Sequence, residues 1–163
     1  MGYAATILRW GKKKFQLNKR DRYLRGDELE RLGAAVVEAE HAGVNSFSLE
    51  ALRFLLLSGC RKARHLNLEW SWIDFEHNLI ALPDTKTGPR QMHLGSAARL
   101  LLERLPRMHG SRYVFPSSRG SGPIVGLRKV WEDVRHRAGL DDVRIHDLRH
   151  SFASSAVSAG QSL

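Results

Sequence analysis

The chain has 163 residues and a mass of 18.5 kDa, room for one domain, and its 42% hydrophobic content suits an ordinary globular core rather than a disordered polymer. Its 26 Lys and Arg against 17 Asp and Glu leave a formal charge of +9, which points to a polyanionic partner, either nucleic acid or an acidic membrane surface. A single cysteine, Cys60, excludes an internal disulfide framework and fits a reducing, cytoplasmic setting, while the longest strongly apolar run, Phe54-Leu55-Leu56-Leu57, is far too short for a bilayer span.

Residues 1–25 hold eight basic side chains (Arg9, Lys12, Lys13, Lys14, Lys19, Arg20, Arg22 and Arg25) and one acid, Asp21. This arm therefore contributes +7, and residues 26–163 only +2. Two readings of the arm stay open: a solvated terminus, or a segment lying along a phosphate backbone and releasing counterions. The interleaved Trp10, Phe15 and Leu17 indicate that part of it packs on the domain. No secretory signal is present, because the basic cluster follows the short apolar stretch Ala4–Leu8 instead of preceding a longer one.

From Asp27 to about Ala42, the apolar residues Leu29, Leu32, Val36 and Ala39 recur at helical spacing, with Asp27 as N-cap and Gly43 as stop. Ser46–Ser58 reads as a second helix, apolar over most of its circumference and so central, broken at Ser58-Gly59. A short helix over Cys60–Asn67 follows. Trp70–Asp74, Leu79–Leu82 and Arg90–Leu94 are short alternating or aromatic runs separated by turn sequences, which predicts a three-stranded antiparallel sheet. Ser96–Leu105 is helical again, and Tyr113–Pro116 is a short extended piece before a Gly/Ser-rich loop. Leu127 to Ala138 forms a helix closed by Gly139, and a last helix starts near His146. The expected fold is α+β, mainly α-helical with one small antiparallel sheet.

No zinc cluster, P-loop, dinucleotide fingerprint or serine-hydrolase elbow is found in the sequence. What stands out is His146-Asp147-Leu148-Arg149-His150. On a helix, His146 and Arg149 lie on one face, so an imidazole and a planar guanidinium fork can converge on one phosphate. Plain surface residues would fit the same pentapeptide. His146 and His150 also have the spacing of a metal pair, but no third ligand is evident and Arg149 repels a cation, so neither metal nor cofactor is expected. Arg61, in Ser58-Gly59-Cys60-Arg61, sits at a helix-to-helix turn, where it faces either a cleft or water. Lys86, in Asp84-Thr85-Lys86-Thr87-Gly88, stands at a hairpin tip, where it reaches either a DNA groove or solvent.

Four motifs in order carry a resemblance: the Ser-Gly-Cys-Arg turn, the Leu-x-Trp-x-x-Ile-Asp stretch, Thr-Lys-Thr-Gly at a hairpin, and His-Asp-Leu-Arg-His-Ser-Phe-Ala-Ser. Together they resemble the tyrosine recombinase (phage integrase) family from about Asn18 to the C-terminus. The resemblance implies a linker arm at 1–25, a truncated catalytic domain at 26–163, and bacterial or phage origin with the protein at the nucleoid. It implies DNA cleavage by a tyrosine through a 3′-phosphotyrosyl link. Arg61 and Arg149 would clamp the non-bridging oxygens, Lys86 would protonate the leaving 5′-oxygen, and His146 would assist proton transfer. Double-stranded DNA and other recombinase protomers in a synaptic complex are the implied partners, with Lys12, Lys13, Lys14, Lys19, Arg20 and His150 as DNA contacts. No membrane is implied.

Two departures qualify this. Arg64 stands where the family usually has an acid, and none of Tyr3, Tyr23 and Tyr113 fits the nucleophile. The chain alone is therefore expected to bind DNA without cutting it. The missing C-terminal helices are expected to leave an apolar groove. The competing readings are a non-enzymatic DNA-binding remnant of an integrase and a type IB topoisomerase.

Overall fold

In the computed structural model, which describes residues 22–59, 66–83, 90–118 and 122–151, the first amphipathic stretch forms α1, Gly26–His41, burying Leu32, Ala35, Val36 and Ala39. Its start differs from the expectation at Asp27. Arg25 holds the cap position, and its backbone N–H donates to the Glu28 carboxylate at 2.9 Å. An acid at the third helical position can satisfy that N–H by reaching back. Asp27 instead lies in the first turn, where its charge complements the helix dipole.

Asn45 opens α2, Ser46–Ser58, by accepting the Ser48 N–H at 3.0 Å. The helix buries Ser48, Leu49, Ala51, Leu52, Phe54 and Leu55, a wider apolar face than a surface helix shows. It is central as expected, packing on α1 and on two later helices, α3 (Ser96–Arg104) and α4 (Leu127–Arg137). Phe54 meets Phe115 with ring centroids 5.8 Å apart, which brings the extended piece at 113–116 onto the same core. The helix ends at Gly59, whose φ of 59° is the left-handed conformation that lets its N–H turn back to the Leu55 carbonyl.

The sheet has three antiparallel strands in sequence order: β1 (Ile73–Asp74), β2 (Leu79–Leu82) and β3 (Arg90–His93). Its register pairs Ile80 with Ile73 on one side and with Met92 on the other. The first strand is shorter than its aromatic run suggested. Trp70–Trp72 forms a 3₁₀ turn, with the Trp72 N–H on the Glu69 carbonyl and the Trp70 N–H on the Arg112 carbonyl. These bonds take backbone groups that a longer β1 would have offered to β2.

Helix α4 buries Leu127, Trp131 and Val134, and Gly139 follows it at φ 65°. From α1, Arg31 Nη1 donates to the Ala138 carbonyl at 2.9 Å, satisfying a carbonyl at that helix end. An apolar groove of about 300 Å³ lies between α1, α2 and α4, lined in part by Leu29, Val36, Leu56 and Trp131. Residues 147–151 are helical. Of the short helix expected over Cys60–Asn67, only Leu66 and Asn67 are described, the first helical and the second in a turn. No described helix is long and apolar enough to cross a membrane.

Candidate functional site

The segment bearing His146, Arg149 and His150 is fixed at several points by backbone chemistry. The Asp147 carboxylate, which is buried, accepts the Arg144 N–H at 2.8 Å, and the Asp147 N–H donates to the Arg144 carbonyl at 2.9 Å. This is the same reach-back that Glu28 makes at α1, three residues after the capped position. Four residues after Asp147, the Ser151 hydroxyl donates to the Asp147 carbonyl and accepts the Leu24 N–H, both at 2.8 Å. Both Leu24 and Ser151 are buried. The lead-in to α1 is therefore hydrogen-bonded to the segment that carries Arg149.

Arg149 itself is exposed, yet its Nη1 donates to the Gly59 carbonyl at the left-handed cap of α2. Its backbone N–H donates to the His146 carbonyl at 3.2 Å, so these two residues lie one turn apart. His146 and His150 are also exposed. A guanidinium tied at one nitrogen to a carbonyl keeps its remaining N–H groups for an anion. That arrangement can hold a phosphate oxygen at the exposed edge of the molecule.

Of the other residues singled out in the sequence, Arg61, Lys86, Lys12, Lys13, Lys14, Lys19 and Arg20 lie outside the described residues, as does Arg64. Among the described residues, no group of three His, Cys, Asp or Glu side chains could hold a metal ion. Tyr113 is half-buried, bridged through its backbone to Glu69, with Arg112 5.0 Å from its ring and donating to its hydroxyl. Tyr23 is 50% exposed in the lead-in to α1.

Sequence reasoning passed over the groups that hold the site. Arg22, counted with the basic arm, donates to both carboxylate oxygens of Glu28, at 2.6 and 2.9 Å, and through Nε to Asp142 at 2.9 Å. The arginine pulls the Glu28 carboxyl down to about 2, helped by the Arg25 N–H, and holds Asp142 below the usual carboxylate range. The same hydrogen bonds raise Arg22 further above its already high ordinary value. Glu28 and Asp147 could have been found in the sequence as acids three residues into a helix start. No local signal marks Asp142 as the second partner of Arg22, 120 residues away.

By sequence, the phage integrase family matches residues 22–163. The shufflon-specific DNA recombinase of Escherichia coli is 29% identical over 143 residues, which cover 86% of this chain and 34% of that protein. The chain thus spans about a third of the length of this relative. Among solved structures, XerA recombinase superposes with a TM-score of 0.64 at 25% identity, over 86% of this chain and 52% of the other. The catalytic domain of bacteriophage HP1 integrase superposes with a TM-score of 0.62 over 86% of this chain and 74% of its own. At 21% identity, that likeness speaks for the fold alone.

Proposed function

Since the chain belongs to the phage integrase family, we propose that it is part of the catalytic domain of a site-specific DNA recombinase and that Arg149 contacts the scissile phosphate. The observation that supports this is the Arg149 guanidinium seated at the Gly59 carbonyl. In the sequence, Gly59 stands two residues before Arg61, the second arginine of the clamp. Two guanidinium groups on the non-bridging oxygens would stabilise the charge that builds there as a fifth oxygen bonds to phosphorus.

In this reading a tyrosine hydroxyl attacks phosphorus and forms the 3′-phosphotyrosyl bond while the bond to the 5′-oxygen breaks. Lys86 gives its proton to that leaving oxygen, and His146 assists the proton movement. The attacking tyrosine is none of the three in this chain. Tyr113 is held by Arg112 and the Glu69 bridge, and Tyr23 belongs to the lead-in. Double-stranded DNA is the substrate, other recombinase protomers are the partners in synapsis, and the basic arm with His150 lies along the duplex. The protein acts in the cytoplasm at the nucleoid.

Arg149→Ala is expected to weaken duplex binding by roughly tenfold or more, the scale of one lost hydrogen bond to a charged group. Fluorescence anisotropy on a labelled duplex measures this, with Arg137→Ala as a charge-matched control at the α4 terminus. Equal losses in the two variants would remove the special role of Arg149. A second reading, a DNA-binding remnant that never cuts, is favoured by Arg64 in place of the family's acid. Under both readings this chain forms no covalent adduct on a nicked suicide substrate. A denaturation-resistant protein–DNA band would contradict the assignment of the tyrosines.

A further inference from the structure

Glu28 closes the α1 cap by accepting the Arg25 N–H, and the same carboxylate accepts Arg22. What Arg22 adds is a bridge from the lead-in to Asp142, in the turn that leads to the phosphate-binding segment. That turn has a second anchor, the Arg135 guanidinium on the Val143 carbonyl at 3.0 Å. One residue on, Arg144 starts the segment by donating to Asp147. Every link between Arg22 and Arg149 is therefore a named hydrogen bond or a single turn of chain.

We propose that Arg22 is a positioning residue: by bridging Glu28 and Asp142 it sets the turn before residue 144, and with it the placement of His146 and Arg149 for phosphate contact. This rests on the reading of Arg149 given above. Arg22 touches no phosphate itself, since its guanidinium is committed to two carboxylates and to the Tyr23 carbonyl at 2.7 Å. A lysine ammonium carries the same charge but lacks the planar fork that spans Glu28 and Asp142 together.

Two variants separate positioning from plain electrostatics. Arg22→Lys leaves the net charge unchanged, so electrostatics alone predicts no effect on DNA. Asp142→Ala removes an exposed acid, so electrostatics alone predicts tighter binding. Positioning predicts weaker duplex binding in both, by roughly threefold or more, and the loss should vanish when Arg149→Ala is already present, because the pair then has nothing to act on. The readout is anisotropy with the full chain on a labelled duplex, each variant's thermal melt being recorded alongside. Unchanged or tighter binding by Asp142→Ala overturns the proposal, as does a loss that persists undiminished in the Arg149→Ala background. If Arg149→Ala matters and the other two variants do not, positioning alone fails. If Arg149→Ala itself has no effect, the reading of the site fails and the positioning role falls with it.

Discussion

A carbonyl at a helix end has no partner within the helix, and Arg149 uses the one that Gly59 presents. The direction of that carbonyl depends on the left-handed φ of 59° at Gly59. Gly59→Ala is expected to destabilise the fold by about 1–2 kcal/mol, the penalty for a Cβ in that conformation, and Gly59→Asn by less. Urea denaturation of the three proteins measures the order; an alanine variant as stable as the parent would show that the cap tolerates a side chain. At this scale the sequence was half legible. The Arg149 and His146 pattern stands out in five consecutive residues, but Gly59 lies 90 positions upstream and no spacing rule joins them. The role of Arg22 was hidden for a similar reason: it was counted only in the charge of residues 1–25, and its partner Asp142 lies 120 residues on.

Among elements, α1 shows how one acid does two jobs. Glu28 caps the helix through the Arg25 N–H and pairs with Arg22, and both interactions are stronger with its ionised form. Its carboxyl lies near 2 in the fold against an ordinary 4.5, so it contributes stability that is fully present above pH 4.5 and lost as pH falls toward 2. Melting temperature should therefore decline over that window, and Glu28→Gln should flatten the decline while lowering the plateau at neutral pH. Parallel curves for the two proteins would mean that other carboxylates set the acid limit. The helices were legible because their apolar residues recur with a helical period; α2 spans the expected Ser46–Ser58 and stops at Gly59, while its cap at Asn45 was not read from the sequence. The strand at Trp70 was misread because aromatic content signals β-structure only when the backbone is available to pair. Here the Trp70 N–H goes to Arg112, a partner that sequence alone does not supply.

At the scale of the whole molecule, Arg22 differs from a free surface cation, because Glu28 and Asp142 neutralise it within the fold. Lys12→Ala should reduce the salt slope of DNA binding by about one unit if that side chain contacts a phosphate. A titration series from low to physiological salt gives the slope, and an unchanged slope would return Lys12 to the solvated surface. The bond from Leu24 to Ser151 has a different consequence, one of time. It closes a loop of 127 residues, so a chain emerging from the ribosome holds Leu24 long before its acceptor has been synthesised. Contacts so distant in sequence bring a loop-closure entropy cost and are slow to form. The segment bearing Arg149 should thus be fastened last, after the helical core around α2 has condensed. Pulse-labelling hydrogen exchange during refolding tests the order: the Leu24 amide should gain protection later than the amides of α2, and simultaneous protection would mean that both ends of the chain join the nucleus together.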